Sequence, residues 1–329
     1  MNTHHIAHSR PQQRPFFAIL LKVIAALAFT LMAATVKYAG TGVLSNPAPV
    51  GQLVFFRSFF ALLPVLLWLS YARPLSAAFA TKNLSGHLKR GLIGSCGMFC
   101  GFAGLMLLPL PDATAISFAA PLLSVVLAHF LLKEVVRVYR WTAVLIGFVG
   151  VIIMLLPHLS LGGQSTTSGL GAMFGLGGAL CAAFAMIEVR RLTATEHTAA
   201  IVVYFSLFTT VMSLFSYPLG YIWPEYAWFT PQPMDFLILG SVGFLGGIGQ
   251  ILLTQSYKFA DASVVAPFDY TSMIWALLIG WFAFSNVPDP LVLIGAAIVI
   301  SSGIFVILRE RALGIERKRQ RKAGTGRAL

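Results

Sequence analysis

Charge is what this chain has least of. Only 10% of its 329 residues are Asp, Glu, Lys or Arg, whereas 57% are hydrophobic and the mean hydropathy is +0.82. Soluble domains carry roughly 25% charged residues, so a water-soluble globule of this length could not cover its surface. Acids are scarcer than bases, 11 against 23, which leaves a net charge of +12. That excess does not build a nucleic-acid surface, because it collects in short connections and in a tail from Arg309 to Arg327. Cysteine is scarce too: Cys96, Cys100 and Cys181 stand in apolar stretches without metal-ligand spacing and read as small core residues. No clustered acids or histidines mark one membrane edge, and no nucleophile–base set stands out, so an enzyme, a cofactor and a bound metal are not expected. His129, among apolar residues, reads as packed, and His4, His5 and His8 as part of a solvated tail. Gly247-x-Gly249 lies mid-span with no strand before it and is no nucleotide fingerprint.

What the chain does have is long apolar runs. A hydrocarbon core about 30 Å thick is crossed by roughly 20 apolar residues in a helix. Such runs cover Phe16–Tyr38, Val50–Ala72, Gly91–Leu108, Ala113–Leu132 and Trp141–Pro157. A second set covers Gly169–Val189, Ala199–Trp223, Phe236–Phe259, Ala262–Phe284 and Pro290–Leu308. The fold class expected is an all-α membrane protein with ten transmembrane helices. Connections are short and rich in turn formers, as in Pro109-Leu110-Pro111-Asp112, and none holds a separate soluble domain. The first run, with Arg10, Arg14 and Lys22 about it, could be a signal peptide, but its length and its recurrence later in the chain make it a mature span.

Counting Lys and Arg in the connections sets the orientation. Alternate connections hold none apart from Lys37, while those between them hold Arg73, Lys82, Lys89 and Arg90, then Lys133, Arg137 and Arg140, then Arg190 and Arg191, then Lys258. The C-terminal tail adds eight more. Both termini are therefore expected in the cytosol of a bacterial cell, with the chain in the inner membrane.

The second set of spans repeats the first. Gly94-Ser95-x-Gly97-x-x-x-Gly101 recurs as Gly240-Ser241-x-Gly243-x-x-x-Gly247, Val144–Gly147 as Val292–Gly295, Asp112-Ala113-Thr114 as Asp261-Ala262-Ser263, and Ala26-Leu27 as Ala179-Leu180. The offsets are 146, 148, 149 and 153 residues. An odd number of spans per half forces the halves to insert in opposite senses, and inverted repeats around a midplane site are the architecture of many secondary transporters. The expected division is a tail over 1–15, a first repeat over 16–157, a second over 169–308 and a basic tail over 309–329.

The segments Gln52–Ser58, Asp112–Pro121 and Ala262–Ser272 carry a resemblance to the drug/metabolite transporter superfamily, in its EamA-type branch of ten spans in two repeats. The resemblance runs from about residue 16 to 310 and implies transport of a small molecule. Relatives of this kind export amino acids or drug-like metabolites, or import S-adenosylmethionine or riboflavin. Ser285-Asn286 stands where an acidic residue often follows span 9, whereas Lys133-Glu134 closes span 4. The function expected is alternating-access transport of a small polar or zwitterionic metabolite, with export of amino acids or drugs and a non-transporting membrane scaffold as alternatives. The lipid bilayer and a small-molecule substrate are the expected partners, with no nucleic acid, and the chain acts as a monomer or homodimer.

Ionisable side chains inside a membrane are costly and so are candidates by default. Arg57 lies about 10 Å into span 2, at a rise of 1.5 Å per residue, and Lys37 closes span 1. Asp269 follows Pro267 about 12 Å into span 9, and Pro121 interrupts span 4 at the matching place. The two prolines are read as helix breaks or gating points. A bracket of Arg57 and Asp269 is expected, their depths about 8 Å apart in a core of about 30 Å, either as a direct long-chain pair or with a zwitterion held between them. The alternative for Asp269 is a bond to a neighbouring Ser or Thr at a packing kink. Gln250 and Thr254 lie on one face of span 8 with Tyr257, and Phe118, Tyr270 and Trp275 offer rings to a planar or cationic ligand. Glu188, followed by Arg190 and Arg191, is either half of a local ion pair or a coupling group. Lys22 and Lys258 read as interfacial, with no role assigned.

Overall fold

A backbone in hydrocarbon has no water to bond, so apolar runs of this length fold as helices that satisfy themselves. The computed structural model describes residues 14–41, 44–72, 79–158, 166–193, 195–196, 198–260 and 262–325. His4, His5, His8, Arg10, Arg73 and Asp261 lie outside them. The helices are α1 (Pro15–Gly40), α2 (Val50–Ala72), α3 (Leu84–Leu107), α4 (Leu110–Ser117), α5 (Ala119–Leu132) and α6 (Val138–Leu155). The second half supplies α7 (Thr166–Leu192), α8 (Thr198–Leu214), α9 (Pro233–Phe259), α10 (Ala262–Val265), α11 (Thr271–Phe284) and α12 (Pro290–Thr325). Among the described residues no strand occurs, and nine helical stretches are long and apolar enough to cross a membrane. The tenth crossing, Ala262–Phe284, is broken into α10, a 3₁₀ turn over Ala266–Tyr270, and α11. With ten crossings the start of α1 and the end of the last crossing fall on one side of the bundle, the terminal side.

Sequence signals set several ends. Proline opens α9, where its missing N–H is no loss, and Gln232 and Asp235 cap each other's backbone reciprocally, with the Gln232 N–H donating to Asp235 Oδ2 at 3.1 Å. Asn83 accepts from the Gly86 N–H at 2.9 Å and starts α3 seven residues before the expected Gly91. That earlier start draws Arg90, counted among the connection charges above, inside a span. Span 7 runs Ala199–Tyr221, close to the expected Ala199–Trp223, but α8 itself stops at Leu214 and a 3₁₀ turn at Pro218–Tyr221 completes the crossing.

The two halves exchange helices symmetrically. α3 packs on α7 as α9 packs on α1, α8 packs on α3 as α2 packs on α9, and α4 with α5 meets α7 as α10 with α11 meets α1. The pairs α2–α8 and α6–α12 map onto themselves. The chain is thus two inverted five-helix repeats interlocked about a pseudo-two-fold axis.

Packing also corrects the register of the repeat. Phe208 of α8 stands against Gly91 and Phe205 against Gly94, as Phe60 of α2 stands against Gly240 and Gly243. Cys181 of α7 meets Gly97 as Met32 of α1 meets Gly246. Gly91, Gly94 and Gly97 therefore match Gly240, Gly243 and Gly246, each pair 149 positions apart. The shared G-S-x-G-x-x-x-G pattern, offset by 146, is one helical turn out. Small residues spaced three and four apart offer nearly the same face after such a slip.

Spans 4 and 9 both break where the prolines predict. α4 ends at Ser117, and Pro121 sits in the first turn of α5, while Pro267 lies in the 3₁₀ turn of span 9. Beyond the breaks α5 and α11 are each 14 residues long. Each ends in a left-handed residue, Lys133 at φ 53° and Ser285 at φ 51°. The next N–H in each case, of Glu134 or Asn286, reaches back six residues to Ala128 or Gly280. Lys133 and Ser285 are 152 positions apart, three more than the glycine pairs. The extra residues belong to the turn that carries Asp269, so span 9 has a feature that span 4 lacks.

Candidate functional site

Charged and polar groups lie at three levels of the bundle. Nearest the terminal side, Lys22 of α1 stands 2.6 Å from the Asp269 carboxylate. The lysine side chain is 2% exposed and the carboxylate 55% exposed, the lysine in α1 and the carboxylate in the 3₁₀ turn of the broken crossing. Lys22 also donates to the Tyr257 hydroxyl at 3.1 Å and lies 4.8 Å from that ring's centroid. An unpaired ammonium at this depth would cost several kcal/mol, roughly the range found for buried charges, and the carboxylate and the ring compensate it. Lys22, assigned no role above, is therefore the partner of Asp269. Neither Arg57 nor a neighbouring Ser or Thr takes that place. Tyr257 continues the face of Gln250 and Thr254, and Thr254 donates back to the Gln250 carbonyl at 2.8 Å.

At the middle level Arg57 of α2 lies against α9, close to where a side chain at Gly246 would stand. Met32 touches the same glycine. From Lys22 to Met32 along α1, and from Tyr257 to Gly246 along α9, the rise is about 15 Å and about 16 Å. The Arg57 and Asp269 levels are therefore about 15 Å apart, which replaces the 8 Å expectation and excludes a direct pair. Trp275 on α11 has a buried Nε1 without a hydrogen-bond partner.

At the far level Lys37 is buried and donates to the Leu108 carbonyl at 2.6 Å and towards the Leu105 carbonyl at 3.5 Å. Its ammonium satisfies carbonyls at the C-terminal end of α3, where the helix dipole favours a cation. Asp112 opens α4 with His158 Nε2 at 3.4 Å, and His158 Nδ1 lies 2.7 Å from Ser168 Oγ. This cluster joins the start of span 4 to the end of span 5 and the start of span 6.

Other expected site residues are placed elsewhere. Phe118 and Tyr270 meet edge to face, centroids 5.2 Å apart, in the core shared with Met273 and Val299. Each ring is the other's partner, and Gly303 leaves the room that the Tyr270 hydroxyl fills. Glu188 pairs with Arg191 at 2.8 Å, one turn along its own helix, and Arg190 pairs with Glu134 at 3.6 Å. His129 Nδ1 donates to the Glu134 carbonyl at 2.9 Å. Cys181 stands against Gly97 and Cys100 near Gly177 where α3 meets α7, whereas Cys96, expected in the core, is exposed.

The family model described as the EamA-like transporter family matches residues 16–156 and again 169–309. A protein of Rickettsia bellii named S-adenosylmethionine uptake transporter is 29% identical over 297 residues, 89% of this chain and 92% of its own. A Pseudomonas aeruginosa protein named pseudopaline exporter is 28% identical over 284 residues, 86% of this chain and 93% of its own. A solved crystal structure superposes with a TM-score of 0.59 at 19% identity, over 90% of this chain and 98% of that one, and shows the shared fold.

Proposed function

The chain belongs to the EamA-like transporter family, and from that premise we propose that it carries a small zwitterionic metabolite through the bundle by alternating access between its two repeats. The observation that carries this reading is the Lys22–Asp269 pair. It ties the first span of one repeat to the broken span of the other, and its carboxylate stays 55% exposed. A substrate cation competes with Lys22 for that open carboxylate, while the substrate's carboxylate meets Arg57 about 15 Å deeper. Displacing Lys22 frees α1 from span 9, and the substrate thereby favours one arrangement of the halves over the other. Both chain termini face the cytosol in this reading, so the Lys22–Asp269 pair closes the cytosolic end. The coupling is to helix movement, and no bond of the substrate is made or broken.

Relatives named for S-adenosylmethionine uptake make that molecule, with its carboxylate, ammonium and sulfonium, the first compound to test. Export is the second reading, favoured by the relatives named as pseudopaline exporters. Uptake and efflux should be screened in a deletion strain and the leading compound reconstituted in proteoliposomes. Asp269→Asn should insert normally and slow transport at least tenfold, a loss of about 1.4 kcal/mol. Normal transport by Asp269→Asn and by Arg57→Gln, at equal protein levels, would remove both residues from the substrate path.

A further inference from the structure

Arg57 is not the only arginine at mid-depth. Arg90 of α3 starts about 9 Å in from the terminal side and Arg57 about 10 Å in from the opposite side, at the helix rise. Their heads converge towards the middle. Arg90 Nη1 lies beside Gly94, one turn deeper than its own Cα, and its guanidinium stacks 4.1 Å from the centroid of Phe205. Phe60 and Phe208 occupy matching places against the glycines of α9 and α3. Three residues earlier on the same two helices stand Arg57 and Phe205, one on each side of the pseudo-two-fold axis. Arg57 and the Arg90–Phe205 stack are thus brought together where α2 and α8 meet.

Among the described residues these two cations have no counter-ion. Arg57 Nε, Arg90 Nε and Arg90 Nη1 are buried without hydrogen-bond partners. Among the described residues no carboxylate pairs with either arginine. Asp269, the carboxylate set furthest into the spans, is taken by Lys22. Burying a charge without a partner is expensive, and two like charges in one place add repulsion. The planar fork of each guanidinium matches a carboxylate through paired N–H donors.

We propose that Arg57 and Arg90 together form a receptor for a solute end bearing two carboxylates. The proposal rests on the transport reading above and narrows its substrate class: a dicarboxylate end neutralises both cations, whereas a lone carboxylate, as in S-adenosylmethionine, leaves one uncompensated. Phe205 holds Arg90 in place by stacking on the face of the fork and leaves the N–H edge free for the ligand.

The test uses the full chain purified into lipid nanodiscs, with thermal unfolding followed against succinate, inorganic phosphate and acetate at matched ionic strength. Succinate should raise the unfolding temperature saturably, with acetate giving no more than a tenth of that shift. Arg57→Gln and Arg90→Gln should each abolish the succinate response. Each should also unfold at a higher temperature than the wild type without anion, because an unpaired buried charge has been removed. A phosphate response larger than that to succinate, lost in both variants, would replace the dicarboxylate with a phosphate-bearing end and overturn the proposal as stated. Equal responses to acetate and succinate, a succinate response that survives both substitutions, or variants that unfold earlier than the wild type would also overturn it. Transport that depends on Asp269 while these variants bind succinate normally would leave the carrier reading standing and this receptor refuted.

Discussion

The Lys22 ammonium and the Asp269 carboxylate are 2.6 Å apart but unequally placed, the lysine enclosed and the carboxylate open. Removing one partner from a buried pair costs about 3–5 kcal/mol, because the other charge is stranded. Here the cost depends on which partner remains. Lys22→Gln leaves Asp269 on an exposed face and should lower stability little. Asp269→Asn strands Lys22 with only Tyr257 to hold it, so its cost approaches, without exceeding, that range. Chemical denaturation in detergent micelles measures the difference. The double variant Lys22→Met/Asp269→Asn should recover most of the stability and none of the transport. Equal losses from the two single variants would mean that the exposure difference has no energetic consequence.

Much of this was legible in the sequence, for reasons that particular residues make clear. The crossing helices follow from apolar runs, and the breaks of spans 4 and 9 follow from Pro121 and Pro267. The Lys22–Asp269 pair was not legible. Its partners are distant in the chain, and only the packing of α1 on span 9 brings them together. Arg90 was misplaced because the first turns of α3, Leu84 to Arg90, are polar enough to pass for a loop, and the Asn83 cap starts the helix there. The repeat was visible, but its glycine register was ambiguous by one turn until Phe60, Phe205, Phe208 and Met32 showed which faces match.

Lys37 is expected to serve the fold and not the substrate. Its ammonium answers the Leu108 carbonyl at 2.6 Å, a group that would otherwise end α3 unpaired. Lys37→Met should cost about 1–3 kcal/mol, the range for stranding a buried polar group. In reconstituted protein, any loss of transport should track the loss of folded material. A Lys37→Met protein that stays as stable as the wild type but cannot transport would reverse the assignment.

Glu196 supplies a tie whose pH dependence is fixed in sign. It lies in the connection between α7 and α8 and accepts the Lys82 N–H at 2.8 Å, with His87 Nε2 at 3.7 Å. The Lys82 hydrogen bond, with help from Thr81 and His87, holds its carboxyl below the usual glutamate range. A group depressed in the folded state stabilises it above the unfolded value and loses that contribution as the pH falls through the folded value. Hydrogen exchange at the Lys82 amide should therefore be slow at neutral pH. After correction for the intrinsic rate it should accelerate only on acidification below the ordinary glutamate pKa, and Glu196→Gln should remove that transition. An acid transition that persists in Glu196→Gln would assign it to another group.

The contact of α6 with α12 should be the least tolerant of added volume. Gly150 and Gly295 bring the two backbones together so closely that a Cβ on Gly150 would lie 2.7 Å from the Gly295 carbonyl oxygen and 3.0 Å from Val299 Cγ2. A Cβ on Gly295 would overlap the Gly150 carbonyl in turn. A carbonyl oxygen cannot swing aside as the end of a side chain can, so relief requires the helices to separate. Overpacking of this kind costs about 1–3 kcal/mol. Membrane helices also gain no hydrophobic drive to reassociate, since lipid is as apolar as leucine. Gly150→Ala and Gly295→Ala should each lower the unfolding temperature in detergent. Gly101→Ala is the control, because a Cβ there meets nothing within 4 Å, and it should leave the temperature nearly unchanged. Equal behaviour of all three variants would show that α6 and α12 are free to move apart at no cost and that their close approach is not what holds the two repeats together.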